Sequence, residues 1–139
     1  MGTIRTGARP ASLTMWGGWG CVAIGVGHSA LVAAMTWRHW AGWMAGELHW
    51  GLGSPELPHS KLAFWAMPGS FAVPLILLGL MAVGRAREGR ALPAYVGWVL
   101  LAWAVFGAYV LFPTFGFFLV LVPVALFLLD GCRAAAVPR

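Results

Sequence analysis

The sequence predicts an all-α fold, a four-helix transmembrane bundle with a short interfacial helix between spans one and two. Three observations carry that expectation. Of 139 residues, 60% are hydrophobic and 9% charged, against roughly a quarter charged in a soluble domain. The apolar residues gather into four runs, at about 15–35, 62–83, 94–111 and 115–130. The nine Lys and Arg fall in short clusters between those runs, a pattern that suits membrane orientation and lacks the continuous basic face of a nucleic-acid binder. A single membrane domain over 1–139 is expected, because no polar segment is long enough to form a second unit.

The spans are expected to be helices, since a chain crossing hydrocarbon must satisfy its own backbone hydrogen bonds. About 20 apolar residues are needed to cross a core of about 30 Å. Runs one and two reach that length, and three and four fall slightly short. Run one is longer than the roughly 7–15 apolar residues of a signal peptide, so it is expected to be retained as a span. Arg5, Arg9, Arg85, Arg87, Arg90, Arg133 and Arg139 would lie on one side, and Arg38 and Lys61 on the other. Both termini are therefore expected in the cytoplasm.

In span one, Gly17, Cys21, Gly25 and His28 fall on one helical stripe. Small residues on such a stripe let helices approach closely. His28 would then project into the bundle, and an ionisable residue in a span marks a functional site unless a neighbouring helix simply satisfies it. Cys21 and Cys132 fit no metal or redox spacing.

The segment 37–50 places Trp37, Trp40, Trp43, Met44, Glu47 and Leu48 on one face, as a short helix at the membrane surface would. An aromatic anchor belt accounts for most of these tryptophans. Glu47 stands out, a carboxylate between Trp43 and Trp50. With an imidazole nearby it would supply the parts of general acid–base chemistry. His39, Glu47, His49 and His59 lack the spacing that puts two ligands on one helical face, so no metal is expected, and no cofactor.

Span two contains Pro68 and Pro74, which should kink or break it. Irregular backbone at membrane depth is tolerated where it lines a cavity. Pro123 in span four and His28 in span one are expected at a similar depth, which points to a pocket open to the outer leaflet. Span three brings Trp98, Trp103, Phe106 and Tyr109. Asp130 and Arg133 are expected to pair at the interface.

The motifs W-G-G-W, G-V-G-H, W-x-x-W-M-A-G-E-L, F-W-A-M-P-G-S-F-A-V-P and P-A-Y-V-G-W, spread over residues 15 to about 125, resemble those of a family of small actinobacterial-type membrane proteins of unknown function. The resemblance implies four spans and a bacterial origin, and with the span reading above a location in the bacterial inner membrane is expected. It implies no activity and no site residues.

Two function classes follow. In the first, the protein binds a hydrophobic or lipidic, isoprenoid-like molecule, with Trp40, Trp43, Trp65, Ser70, Trp103 and Tyr109 forming the pocket. His28 and Glu47 would fix its polar end, or act as base and acid in isomerase or cyclase chemistry. In the second, the protein is a small proton-coupled transporter or an oligomeric membrane subunit, with His28 carrying the proton and the glycine stripe forming the contact between copies. The partners expected are the lipid bilayer, a hydrophobic small molecule and, in the second class, another copy of the chain. Nucleic acid is not among them.

Overall fold

The structure, a computed structural model, describes residues 11–49, 58–66, 69–112 and 115–135. It is all-α, with no strand among the described residues. Helix α1 (Ser12–Thr36) runs into a 3-10 turn (Trp37–His39) and a short α2 (Trp40–Met44). Helices α3 (Pro58–Ala66), α4 (Ala72–Arg87), α5 (Ala94–Val110) and α6 (Gly116–Ala135) follow.

Four membrane-length helices were expected, and two segments meet that length and composition, Ser12–Met44 and Gly116–Ala135. The physical reasons are separate for the other two. The run expected at 62–83 is divided, with α3 ending at Ala66 and α4 beginning at Ala72. Pro68, on which the expected break was centred, lies outside the described residues, as do Trp50, Glu56, Pro113 and Thr114. Helix α5 has 17 residues, which at 1.5 Å per residue gives roughly 25 Å, less than a hydrocarbon core of about 30 Å.

Segment 37–50 is also less regular than a single surface helix. Thr36 closes α1 with φ −109° and ψ 0°, its hydroxyl donating to the Val32 carbonyl at 2.8 Å. That back-bonding competes with the helical ladder and favours a bend. The chain continues through the 3-10 turn and α2 to a turn at Gly46, where φ is +82°, a conformation open to glycine without steric cost.

Helix α1 is the centre of the bundle and packs along both α4 and α6, while α5 packs on α6. Gly17 and Gly25 of the stripe, with Gly18 beside it and Gly79 on α4, make this possible. A Cβ at Gly18 would sit 2.7 Å from the Gly79 carbonyl oxygen, and one at Gly79 would sit 2.5 Å from the Gly18 carbonyl. Seven residues on, a Cβ at Gly25 would approach the Ala72 carbonyl to 2.9 Å. Gly17 turns to α6, against the Phe127 ring and the Pro123 carbonyl. These glycines are thus used inside the chain, where backbones approach closely and van der Waals packing replaces side-chain bulk.

The core is small, built on Cys21, Leu75, Ala82, Ala104, Val120, Val124 and Phe127. Large apolar side chains point outward instead. Trp16, Leu31, Met35, Leu77, Met81, Trp98, Phe106 and Val122 are each more than half exposed.

One end of the bundle is tied by Asp130. Its carboxylate accepts the Thr14 backbone N–H at 2.9 Å and the Thr14 hydroxyl at 2.6 Å. Asp130 therefore caps α1 from the far end of the chain, and does not pair with Arg133 as expected. Gly131 lies beside the Leu92 carbonyl, which brings the α4–α5 connection to the same end.

Candidate functional site

Helix α3 is held at both ends by side chains from elsewhere. In its first turn, Ser60 is 7% exposed. Its hydroxyl oxygen accepts the Trp43 indole N–H at 2.9 Å and its O–H donates to Glu47 Oε1. One serine hydroxyl has one donor and two acceptor positions, so it can join both groups at once. Trp43 is further fixed by stacking with His39, ring centroids 6.1 Å apart, and by an edge contact with Phe64 at 5.7 Å.

At the other end of α3, the Ala66 carbonyl lies 3.0 Å from His28 Nε2. The last carbonyls of a helix have no intrahelical partner, and a carbonyl can only accept. His28 therefore donates from Nε2–H and caps α3 in trans. The imidazole also lies against the Phe71 ring at 5.2 Å. Phe71 in turn meets Trp103 at 5.0 Å and Phe117 at 5.7 Å, and those two rings meet at 5.0 Å.

Beside this cluster, a cleft of about 490 Å³ opens between α1 and the start of α6. Ala23, Gly27, His28 and Leu31 line it from α1, Gly116 and Leu119 from α6, and Phe71 from the start of α4. His28 is the one polar side chain in that lining. A second cleft of about 420 Å³ lies by α3, between Trp43, His49, Lys61, Phe64 and Trp65. Among the described residues, no three of His, Cys, Asp and Glu gather as a metal ion would require.

The expected site residues are distributed over these places. Glu47, Trp43 and Trp65 lie around α3. His28 and Trp103 meet through Phe71. Trp40 Nε1 donates to the Thr36 hydroxyl at 3.4 Å, within the bend after α1. The Ser70 hydroxyl accepts the Ala72 N–H at 3.2 Å at the start of α4. Tyr109 is 83% exposed and lies on the outer face of α5 with Trp98 and Phe106. His28 and Glu47 are not brought together as an acid–base pair. They attach to residues 66 and 60 of α3, a separation of roughly 9 Å along the helix.

Sequence reasoning passed over Phe71, Phe117 and Ser60. Phe71 follows the Gly69-Ser70 pair directly, and a large ring at the start of a helix after a break was the available signal. Ser60 carried none, since its importance comes from two partners 17 and 13 residues away.

These features define a small all-α protein whose few polar side chains secure helix ends around clefts with apolar walls. The chain belongs to a family of unknown function, DUF6463, whose model matches residues 12–134. No curated protein and no solved structure matches it.

Proposed function

We propose that the protein is an integral membrane protein that holds a hydrophobic molecule in the cleft at His28. What supports a membrane setting is the inverted distribution of apolar bulk, with small residues at the helix contacts and large ones outside. In water, an exposed apolar surface of that extent would drive association. In lipid it is solvated. Between Lys61 and Arg85, and again between Arg90 and Asp130, the sequence has no Asp, Glu, Lys or Arg. In this reading α3 with α4, and α5, complete a four-span bundle beside α1 and α6.

The orientation follows from the charges. Arg85, Arg87, Arg90 and Arg133 flank the end of the bundle tied by Thr14 and Asp130. That end is proposed to face the cytoplasm of a bacterial cell, and the cleft lies towards the outer half.

The observation that carries the binding reading is the cleft lining itself: apolar walls with a single polar group. At about 490 Å³ it falls within the roughly 300–1,000 Å³ of small-molecule sites. The separation of His28 from Glu47 favours binding over acid–base catalysis.

Gly27 supplies the test. It lines the cleft, and a Cβ there meets nothing within 4 Å, so a larger side chain can occupy the cleft without disturbing the fold. Mass spectrometry of gently purified protein is expected to find a retained hydrophobic molecule in the wild type and its loss in Gly27→Leu. Equal retention in both would place the molecule elsewhere and overturn the reading.

A further inference from the structure

We infer that the molecule held in the His28 cleft is an apolar alcohol, its hydroxyl donating to His28 Nδ1. This rests on the binding reading above and adds the chemical class of the ligand.

The argument begins at the opposite nitrogen. The Ala66 carbonyl, 3.0 Å from Nε2, has no proton to give, so the proton of that bond belongs to Nε2. A neutral imidazole has one donor and one acceptor nitrogen, and the acceptor is then Nδ1. Among the described residues Nδ1 has no hydrogen-bond partner. Nor is it sealed in protein, for the buried side-chain atom without a partner among the described residues is Arg85 Nε. Nδ1 is thus an open acceptor, in a cleft whose other lining groups offer no side-chain donor.

A polar group in apolar surroundings is costly unless paired, so the occupant that fits best brings one donor on an apolar body. An ionised carboxylate or phosphate brings only lone pairs and would oppose Nδ1. An ammonium brings donors, but also a charge that no lining group compensates. A hydroxyl donates without charge. The room left by Gly27 and Gly116, neither of which has a neighbour within 4 Å of a Cβ position, admits a branched or ring-containing body beside the Phe71 ring.

Two probes of nearly equal size separate the possibilities, farnesol and farnesyl methyl ether. The ether retains the oxygen and the apolar body and loses the donor. Equilibrium binding of each radiolabelled probe is measured on the full chain in detergent micelles, with Gly27→Leu as the blocked-cleft control. The expected result is saturable binding of the alcohol, about tenfold tighter than the ether, with both lost in Gly27→Leu. In ¹⁵N-labelled protein, His28 should show the Nε2–H tautomer, and its Nδ1 resonance should move with farnesol and not with the ether.

Equal affinity for alcohol and ether, both lost in Gly27→Leu, would overturn the alcohol assignment and leave the cleft as a site for apolar bodies in general. Binding that is absent, or unaffected by Gly27→Leu, would overturn the cleft reading and the alcohol with it. Because the comparison is made on the wild-type chain, it does not depend on a His28 variant that lacks the α3 cap.

Discussion

Asp130 caps the helix that begins with Ser12. Its carboxylate takes both the backbone N–H and the hydroxyl of Thr14, 116 positions earlier, at 2.9 and 2.6 Å. Thr14 is fully buried, and α1 has no side-chain cap of its own. The first N–H groups of a helix need acceptors, and the positive end of its dipole favours an anion. Asp130 supplies both, while joining the first helix to the last. His28 does the complementary thing for α3, placing a donor at the end where carbonyls are left over.

Replacing Asp130 by Ala should cost about 1–2 kcal/mol, the upper range for loss of a helix cap. Asn should cost less, since its amide oxygen still accepts one bond. In a double-mutant cycle with Thr14→Val, the two changes should be less than additive, with a coupling of about 0.5–3 kcal/mol. Unfolding in mixed micelles followed by circular dichroism measures this. Strict additivity would mean that the two side chains do not stabilise one another.

The glycines divide into two kinds, and substitution should sort them. At Gly18 a new methyl meets the backbone of α4, 2.7 Å from the Gly79 carbonyl. Backbone is hard to displace, so Gly18→Ala should destabilise by roughly 1–3 kcal/mol. Gly84 has nothing within 4 Å of its Cβ position, so Gly84→Ala should be neutral or stabilising by up to about 1 kcal/mol, the difference in helix propensity. The same unfolding measurement compares them, and a similar cost at both positions would contradict the close α1–α4 contact.

The two cysteines offer a topology experiment without added labels. Cys132 is exposed and Cys21 buried. With the Asp130 end in the cytoplasm, a membrane-impermeant maleimide should label Cys132 in inverted membrane vesicles and leave it unlabelled in intact spheroplasts. Labelling in spheroplasts alone would reverse the orientation.

Much of the fold was legible because it depends on local composition. Apolar runs and their charged borders located α1, α4, α5 and α6, and Gly17, Cys21 and Gly25 are buried as their periodicity predicts, whereas His28 is half-buried at the edge of a cleft. The division of the second run into α3 and α4 was foreshadowed by its prolines, but its consequence was not. Once α3 became a separate short helix, its ends needed partners, and His28 and Glu47 were taken up as those partners at opposite ends. Nothing local to His28 or Glu47 marks that use. Asp130 was misread for a similar reason: Arg133, one helical turn away in sequence, was visible, whereas Thr14, its real partner, lies at the other end of the chain.

The aromatic lining of the cleft depends on a single absent side chain. Gly107 on α5 lies directly beneath the Phe117 ring, and Phe117 packs at 5.0 Å from Trp103 and 5.7 Å from Phe71. A methyl at Gly107 has no room unless Phe117 rotates away. Phe117 is one of two rings bracing Phe71, the other being Trp103, and Phe71 contacts His28 at 5.2 Å. Gly107→Ala should therefore shift the cluster as a unit and reshape the cleft, weakening retention of the proposed hydrophobic ligand several-fold although position 107 does not line it. Ala is also the better helix former, which offsets part of the packing loss, so stability should fall by less than the roughly 1–3 kcal/mol of simple overpacking. Mass spectrometry of the purified variant reads retention, and denaturant unfolding reads stability. Unchanged retention would mean that Phe117 and Phe71 move independently, and the aromatic lining would then be set by Phe71 alone.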